Sequence, residues 1–242
     1  MKTAVVIPAR YKSSRFPGKP LYLINGKPLI LHVISKVVNC KGVDFVAVAT
    51  DDKRIYDTVK NAGYNVFMTP TTLKSGTDRI AFVAKKFLAK YDVFINVQGD
   101  EPLIDKKLVS KIAEEFKKDK KLEYLTVAYK MKPTDDYVTP NTVKVVFDKN
   151  MYALYFSRFP IPFVRDTKNK TDYYKHIGVY GYTKKFICEF AKSKQTKLEV
   201  AESLEQLRAL EQGKKIKIII SKKDLQDVNV LEDITKVKEL IK

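Results

Sequence analysis

Short apolar runs alternate with longer amphipathic stretches through the first half of the chain. This alternation is typical of successive β-α-β units, in which buried parallel strands are joined by helices. The predicted strands cover residues 3–8, 45–49, 65–68 and 93–97, and the predicted helices cover a segment that begins at Pro28 and residues 53–62, 77–90 and 106–118. Gly63 follows the second helix as a natural C-cap, because glycine readily adopts the left-handed conformation at a helix end.

From residue 122 onward, strand-like runs are separated by loops. Strands are predicted at residues 125–129, 143–147, 152–156 and 215–220, helices at 184–192, 201–212 and 231–241, and a loop or flap at 159–173. Pro160 and Pro162 begin this flap, which continues as a polar run. The predicted fold class is α/β: one domain over residues 1–242, with a mostly parallel sheet flanked by helices and a smaller mixed lobe.

Composition limits the function classes. Apolar residues make up 45% of the chain, and the two cysteines, Cys40 and Cys188, lack metal-ligand spacing. Neither a disulfide framework nor a structural zinc site is therefore expected. The N-terminal apolar run ends at Arg10 and is too short for a signal peptide, and no stretch approaches the roughly 18 apolar residues that a membrane span needs. We expect a soluble, cytoplasmic protein with reduced thiols.

The formal net charge is +18. A balance this basic can indicate nucleic-acid binding. The lysines, however, are scattered over segments typical of solvated helix faces, and no zinc finger or RNP motif accompanies them. We therefore expect neither a nucleic acid nor a membrane as a partner. A basic surface also favours the approach of anions such as a nucleoside triphosphate or a sugar carboxylate.

A cationic loop follows the first predicted strand. It contains Arg10, Lys12, Arg15 and Lys19, with hydroxyl groups at Ser13 and Ser14. Loops at the carboxyl ends of strands in open α/β sheets bind ligands, and cations beside hydroxyl groups suit a polyphosphate. Neither a Walker A motif nor G-x-G-x-x-G is present, which argues against P-loop kinases and dinucleotide dehydrogenases. An ordinary basic surface loop is the alternative interpretation.

Asp100 lies in the segment NVQGDEP, at the end of another predicted strand. We expect it near the cationic loop, because ligand-binding loops of a parallel sheet gather at the carboxyl ends of its strands. A carboxylate beside a polyphosphate is a typical ligand of Mg²⁺, which takes oxygen ligands from one or two carboxylates and from phosphates. Magnesium is therefore the predicted cofactor, and a turn stabilised by aspartate is the alternative.

Seven motifs carry a resemblance to a known family: IPARYKSSRFPGKPL, VATDD, SGTDR, NVQGDEP, VKVVFDKNMYALYFSR, KHIGVYGY and LEQLRALEQGKKI. In this order, over nearly the whole chain, they resemble the CMP-Kdo synthetases, also called 3-deoxy-manno-octulosonate cytidylyltransferases. The first motif is shared by the wider sugar nucleotidyltransferase superfamily. KHIGVYGY and LEQLR narrow the resemblance to this branch.

The resemblance implies a homodimeric enzyme with a Rossmann-like nucleotidyltransferase fold. Such an enzyme transfers CMP from CTP to the anomeric hydroxyl of Kdo, with Mg²⁺, and releases pyrophosphate in lipopolysaccharide biosynthesis. Residues 1–121 would form a CTP-binding half, and residues 122–242 a sugar-acid and dimerisation half. In-line transfer of this kind depends on positioning and charge neutralisation and needs no covalent intermediate.

The matching positions imply a role for each residue. The triphosphate positions are Arg10, Ser14, Arg15 and Lys19, and the positions around the cytidine are Ser75, Arg79 and Gln98. Asp100 is implied as a magnesium ligand and forms the catalytic set with Lys19 and Arg15, whose charges would stabilise the leaving pyrophosphate. The sugar-acid positions are His176, Tyr180, Glu205 and Gln206, with Arg158 near the same substrate.

The sequence predicts different roles for the two histidines. His32 lies on an apolar helical face and is expected to be a packed core residue. Spacing alone leaves His176 open between a core residue and a ligand of the substrate, and only its motif favours the ligand. Tyr180 is equally compatible with the core, because tyrosine often buries its ring and finds one hydrogen-bond partner.

One position departs from the family pattern. Where the family usually carries the first aspartate of V-D-T-x-E-D-L, a second magnesium ligand, this chain has Asn229. An amide oxygen can bind Mg²⁺ but does not neutralise its charge. Asp227, two residues earlier, would point to the same face of an extended segment. Three outcomes stay open: altered metal binding with activity retained, a ligand relocated to Asp227, or a pseudoenzyme that only binds nucleotide.

The identity of the sugar is a separate question. The stretch FVRDTKNKTDYYKHIGVY resembles the subgroup that accepts 8-amino-3,8-dideoxy-Kdo. Residues 162–174 would lie near the far end of the sugar and could set that preference. The sequence therefore leaves Kdo, its 8-amino variant and another acidic sugar as candidate substrates.

Overall fold

A computed structural model describes residues 1–12, 16–166, 168, 171–228 and 230–241. The chain forms two compact units: unit 1 consists of Met1–Lys121, Gly181–Ala191 and Leu225–Lys242, and unit 2 of Leu122–Tyr180 and Lys192–Asp224. The first boundary coincides with the change of sequence pattern at residue 122. Two later segments, however, return to unit 1, so the units do not correspond to two contiguous halves of the chain.

The elements are numbered in chain order. The strands are β1 (Thr3–Ala9), β2 (Leu23–Ile24), β3 (Lys27–Pro28), β4 (Phe45–Thr50), β5 (Asn65–Met68), β6 (Val93–Asn96), β7 (Tyr124–Lys130), β8 (Lys144–Phe147), β9 (Ala153–Ser157), β10 (Tyr174–Thr183) and β11 (Lys217–Ser221). The helices are α1 (Leu29–Val37), α2 (Lys53–Asn61), α3 (Gly76–Lys86), α4 (Lys106–Lys118), α5 (Lys184–Phe190), α6 (Lys197–Glu202), α7 (Gln206–Glu211) and α8 (Leu231–Leu240).

Unit 1 contains a parallel sheet with the strand order β6-β1-β4-β5. Val5 of β1 is in register with Val46 of β4 on one side and Ile95 of β6 on the other. Every residue of β1 is buried, as expected for a central parallel strand covered on both faces. The parallel arrangement predicted from the sequence is therefore confirmed, and it brings the loops after β1 and β6 to the same edge of the sheet.

Local sequence signals explain the helices of unit 1. The apolar residues of α1 recur at helical spacing and are buried, and His32 packs among them with Nε2 2.8 Å from the Ile24 carbonyl oxygen. This confirms the core prediction for His32. Gly63 follows α2 with φ of +80°, as predicted for a C-cap. Helix α3 ends at Lys86 and is therefore shorter than the predicted 77–90.

Unit 2 is a mixed arrangement of strands and short helices. Strands β7 and β11 are parallel, β8 and β9 form an antiparallel pair, and β10 pairs antiparallel with β8. The long strand β10 contains the KHIGVYGY motif, to which the sequence pattern assigned no element. Its first residues, to Tyr180, belong to unit 2. The mixed lobe expected from the sequence is thus present, with one additional strand.

The predicted helix at residues 201–212 was wrong. The structure has two short helices, α6 and α7, because the backbone of Ser203 adopts the left-handed conformation with φ of +52° and ends α6. The Leu204 amide then donates to the Glu199 carbonyl oxygen and closes the turn. No helix in the described part of the chain combines the length and the apolar character needed to cross a membrane.

Two glycines allow other segments to approach the carboxyl end of β1. A Cβ atom on Gly99 would lie 3.0 Å from the Pro8 carbonyl oxygen and 3.4 Å from Cδ1 of Ile30. A Cβ atom on Gly76, the first residue of α3, would lie 3.1 Å from Cγ of Pro8. A side chain at Gly99 would push the segment around Asp100 away from the β1 backbone, whereas a side chain at Gly76 would meet only the Pro8 ring.

We predict that Gly99→Ala lowers the free energy of unfolding by about 1–2 kcal/mol, because the new methyl group meets a backbone carbonyl in a closely packed region. Gly76→Ala is the matched control. Its methyl group meets a proline ring that can repucker, and alanine improves the helix by up to about 1 kcal/mol over glycine. Urea unfolding of both variants measures the difference, and equal losses would contradict the packing argument.

Candidate active site

The cationic loop begins where β1 ends. The Gly18 amide donates to the Tyr11 carbonyl oxygen at 2.9 Å and so closes the loop, and Gly18 adopts φ of +74° at this point. The guanidinium of Arg54, on α2, stacks 3.3 Å above the ring of Tyr11. These contacts position both ends of the loop. The predicted triphosphate residues Ser14 and Arg15 lie outside the described residues.

The Lys19 side chain joins three segments of unit 1. Its Nζ lies 2.5 Å from Oδ2 of Asp100 and 2.6 Å from the carbonyl oxygen of Val228. The Val228 amide in turn donates to the Asp100 carbonyl oxygen at 2.9 Å. The Lys19 and Asp100 side chains are only 12% and 26% exposed, so their attraction is screened less than that of a surface pair. The structure therefore confirms the expected proximity of Asp100 to the cationic loop.

The oxygen donors near Lys19 suit a magnesium ion. The Asp100 carboxylate is partly exposed and already contacts a cation, and Asp227 immediately precedes Val228, which is bonded to Asp100. Among the described residues, no group of three or more His, Cys, Asp or Glu side chains converges on one point. This donor set fits an ion that takes one or two protein carboxylates and completes its shell with phosphate oxygens and water. Asn229 lies outside the described residues.

The predicted cytidine residues cluster at the start of α3. Ser75 caps this helix: its Oγ accepts from the Asp78 amide at 3.1 Å, and Asp78 accepts from the Ser75 amide at 3.0 Å. The amide oxygen of Gln98 lies 3.9 Å from the position of a Cβ on Gly76. Ser75 and Gln98 are therefore brought together by the same close approach to β1.

Arg79 has no exposed surface. Its Nη1 lies 2.5 Å from Oγ1 of Thr69, and its Nη2 lies 2.5 Å from Oδ2 of Asp51. Arg79 therefore supports the ends of β4 and β5 from within the protein. Burial, followed by the charge of Arg79, lowers the pKa of Arg10, whose Nη2 donates to the Leu73 carbonyl oxygen at 2.6 Å. No local sequence pattern predicts that Asp51 and Thr69 support this site.

His176 lies in unit 2, buried on β10. Its Nε2 is 2.9 Å from Oγ1 of Thr126, while the Thr126 hydroxyl lies 2.9 Å from the Val179 carbonyl oxygen. Because that hydroxyl donates to the carbonyl group, its oxygen accepts from Nε2–H of His176. Nδ1 of the imidazole then accepts the 3.5 Å contact from Nε2 of Gln206. Burial lowers the pKa of His176 to about 3, so the ring is neutral at ordinary pH.

Aromatic contacts complete the surroundings of His176. The imidazole packs edge-on against Phe156, with ring centroids 5.0 Å apart, and lies 5.5 Å from the ring of Tyr180. The structure thus brings together three of the predicted sugar-acid residues, His176, Tyr180 and Gln206. Thr126, which sets the tautomer, was missed by the sequence analysis because nothing near it in sequence indicates its partner.

Arg158 is held by backbone groups and by Glu202. Its Nε donates to the Glu202 carbonyl oxygen at 2.8 Å, and its Nη1 donates to the Pro140 carbonyl oxygen at 2.9 Å. The Glu202 carboxylate accepts from the Arg158 amide at 2.8 Å and from the Ser157 hydroxyl at 2.6 Å. Glu202 therefore orients a predicted sugar-acid residue, although no motif in the sequence indicates this role.

Lys144 fixes the backbone beside Arg158. It is fully buried, and its ammonium group donates to the carbonyl oxygens of Thr139 at 3.0 Å, Thr142 at 2.5 Å and Arg158. Burial lowers the pKa of Lys144, while the charges of Asp136 and Glu202 act in the opposite direction. The three carbonyl groups use all three donors of the ammonium group. Lys144 therefore ties the loop around Pro140 to the end of β9.

The predicted residues thus form two groups. All the described nucleotide positions lie in unit 1, and all the sugar-acid positions, including Glu205 at the start of α7, lie in unit 2. Unit 1 provides cations and one carboxylate at the edge of a parallel sheet. Unit 2 provides neutral and charged hydrogen-bonding groups that are held by buried partners.

We predict that His176 makes stability depend on pH. Its pKa is lower in the folded protein than the usual 6.5, so the unfolded chain binds a proton first as the pH falls, and stability is lost between pH 6.5 and about 3. Between pH 7 and pH 5, the free energy of unfolding should fall by about 2 kcal/mol more in the wild type than in His176→Gln. Urea unfolding of both proteins measures this difference. Parallel pH profiles for the two proteins would contradict a neutral, buried imidazole.

Known proteins resemble this chain over its full length. Residues 4–216 match the family described as cytidylyltransferase. The chain is 50% identical to the 8-amino-3,8-dideoxy-manno-octulosonate cytidylyltransferase of Shewanella frigidimarina, covering 98% of this chain and 97% of that protein. It is 45% identical to the 3-deoxy-manno-octulosonate cytidylyltransferase of Fusobacterium nucleatum subsp. nucleatum, covering 100% of this chain and 98% of that protein.

A solved structure provides the corresponding comparison of folds. The structure of CMP:2-keto-3-deoxy-manno-octonic acid synthetase complexed with CTP is similar with a TM-score of 0.94 at 38% identity, and the match covers 100% of this chain and 98% of that one. This match confirms the predicted nucleotidyltransferase fold, and the sequence matches confirm the resemblance carried by the motifs. The chain belongs to the cytidylyltransferase family, in the branch of the CMP-Kdo synthetases.

Proposed function

We propose that this protein transfers CMP from CTP to the anomeric hydroxyl of an eight-carbon acidic sugar, Kdo or its 8-amino variant, and releases pyrophosphate. The observation that supports this most directly is the contact between Lys19 and Asp100 beside Val228, at the carboxyl ends of two neighbouring parallel strands. A cation beside a carboxylate at this edge of the sheet would suit a metal-bound triphosphate, which supports the proposal. Full-length similarity to proteins named for this reaction agrees with the same function.

In the proposed reaction, the anomeric hydroxyl oxygen of the sugar attacks the α-phosphorus of CTP. The bond between the α-phosphorus and its bridging oxygen breaks, pyrophosphate leaves with the electron pair, and the hydroxyl proton is released to solvent. Charge accumulates on the leaving group, so a cation placed beside it stabilises the transition state. Lys19 is the described residue best placed for this role, and Arg10, which precedes it at the start of the same loop region, is the second candidate.

Asp100 would hold magnesium, with Asp227 or Asn229 as a second ligand. The ion, when bound, would neutralise charge on the triphosphate and acidify the attacking hydroxyl group. Lys19 now contacts Asp100 at 2.5 Å. We propose that this ammonium group turns toward the phosphates when CTP and the metal bind, because the carboxylate then gains a divalent partner.

Two closely related sugars, Kdo and 8-amino-3,8-dideoxy-Kdo, are the candidate substrates. The relative named as a Kdo cytidylyltransferase is 45% identical to this chain, and the relative named as an 8-amino-3,8-dideoxy-Kdo cytidylyltransferase is 50% identical. These values are too close to separate the two sugars. The buried frame around His176, Arg158 and Glu202 supports a polyhydroxylated ligand with a carboxylate, because it orients both donors and acceptors. We also propose a cytoplasmic homodimer in lipopolysaccharide biosynthesis, with neither nucleic acid nor membrane as a partner.

Pyrophosphate release tests the proposed function. Purified protein with CTP and Mg²⁺ should release pyrophosphate only when Kdo or 8-amino-Kdo is added, and the ratio of kcat/KM values between the two identifies the substrate. N-acetylneuraminate is the control, because it is a larger acidic sugar with an anomeric hydroxyl. Tight CTP binding without release for any acid would refute the transferase proposal in favour of a nucleotide-binding pseudoenzyme. Salt-sensitive binding of DNA or RNA would instead support a role for the +18 net charge.

Binding of Mn²⁺, a spectroscopic probe for Mg²⁺, tests the metal ligands independently of turnover. Asp100→Asn should weaken Mn²⁺ binding to the CTP complex about tenfold or more, since a neutral amide replaces a carboxylate, and tenfold corresponds to about 1.4 kcal/mol. Asn229→Asp should strengthen binding, because it adds a negative charge. Asp57→Asn is the matched control, since Asp57 pairs with Lys53 on the exposed face of α2. Unchanged binding in Asp100→Asn would exclude Asp100 as a ligand.

A further inference from the structure

The turn between α6 and α7, residues 202–206, connects most of the sugar-acid positions of unit 2. Glu202, at its start, binds the amide and the side chain of Arg158. Gln206, at its end, lies 3.5 Å from Nδ1 of His176, and Glu205 is part of the turn itself. Any displacement of this turn would therefore move several predicted substrate contacts together.

The turn does not fix its own geometry. Ser203 adopts a left-handed conformation that costs a non-glycine residue about 1–2 kcal/mol. Helices α6 and α7 contain six residues each, well below the length at which an isolated helix is stable in water. Side-chain contacts beyond the turn itself must therefore hold it in place.

Arg208 provides a buried two-point contact of this kind. Its Nε and Nη2 donate to the two carboxylate oxygens of Glu199 at 2.8 and 2.5 Å, and the two side chains are only 7% and 5% exposed. Glu199 also accepts from the Thr196 amide at 3.2 Å. Burial alone would raise the pKa of Glu199, but the hydrogen bonds from Arg208 and Thr196 outweigh it and lower that pKa, so the pair is ionised.

The same guanidinium group also reaches the turn. Nη2 of Arg208 lies 3.5 Å from Oε1 of Glu205, which is three residues earlier on the same helical stretch. Arg208 therefore contacts two carboxylates: Glu199, which is buried, and Glu205, whose side chain is 31% exposed. The buried contact orients the guanidinium group, and the oriented guanidinium group restrains the exposed carboxylate.

We propose that Arg208 is a positioning residue for the sugar acid: clamped by Glu199, it holds the turn at residues 202–206 and directs the Glu205 carboxylate toward the hydroxyl or ammonium groups of the sugar. This inference rests on the proposed cytidylyltransferase function and adds a residue to its sugar site. Lysine cannot replace arginine here, because a single ammonium group does not reproduce the planar two-point contact with Glu199 while reaching Glu205.

The positioning effect of Arg208 can be measured apart from its effect on the free energy of unfolding. A buried ion pair can often be replaced by neutral groups of similar volume without loss of stability, whereas removing one partner leaves an uncompensated charge. The double variant Glu199→Gln/Arg208→Met removes both charges, keeps an acceptor for the Thr196 amide and fills the space of the arginine stem. Its unfolding free energy should stay near the wild-type value, but Glu205 loses its cationic neighbour.

Steady-state kinetics with CTP and the better of the two sugars tests the proposal. In Arg208→Lys and in the double variant, the KM for the sugar should rise about tenfold, which corresponds to loss of one charged contact. The KM for CTP should change less than about twofold, because the nucleotide positions lie in unit 1. The matched control is Glu123→Gln/Lys214→Met, which neutralises a half-exposed ion pair in unit 2 with similar substitutions and should leave both KM values unchanged.

A double-mutant cycle with Glu205→Gln tests the route of the effect. If Arg208 acts through Glu205, Arg208→Lys should raise the sugar KM much less in the Glu205→Gln background than in the wild type. Additive effects, or a sugar KM within about twofold of wild type in Arg208→Lys, would overturn the positioning role. A wild-type protein that releases no pyrophosphate with any acidic sugar would overturn the proposed function and this inference together, which distinguishes the two failures.

Discussion

The contact of the Lys19 ammonium group with Asp100 and Val228 joins three segments that are distant in sequence. It forms only because β1 and β6 are parallel neighbours, so that the loops after them leave from the same edge of the sheet. Gly99 and Gly76 allow the remaining backbone to approach Pro8 closely enough to complete this edge. The electrostatic contact therefore depends on the packing beneath it, and a nucleotide would meet an edge that is already assembled.

Three buried cations stabilise the surroundings of the predicted site in different ways. Arg79 pairs with a carboxylate and a hydroxyl group, Lys144 with three backbone carbonyl groups, and Arg208 with the two oxygens of one carboxylate. Each cation is desolvated, so each must be satisfied by neighbours in the fold. Each of the three cations forms hydrogen bonds with residues of neighbouring loops or turns. These bonds explain how short loops can hold the predicted site residues at defined positions.

Much of the fold could be predicted from local patterns. The apolar run of β1, the spacing of α1 and the cap at Gly63 are local signals, and the structure agrees with them. The helix predicted at 201–212 was wrong because amphipathic spacing continues through Ser203, whereas the backbone there is left-handed and the Leu204 amide closes the turn on the Glu199 carbonyl oxygen. The ten-residue strand β10 had no assigned element, since its polar and glycine residues hide a partly buried strand.

The sequence by itself determined the family, the parallel arrangement of the first strands and the identity of the groups that carry the proposed chemistry. Motifs keep their order and spacing along the chain, so they can be read without coordinates. Only the tertiary structure decided that Lys19 contacts Asp100, that His176 is neutral and hydrogen-bonded to Thr126, and that Glu202 and Arg208 contact the predicted sugar-acid residues Arg158 and Glu205. These contacts join residues separated by up to 81 positions in the chain or depend on burial, and neither distance nor desolvation is encoded in a local pattern.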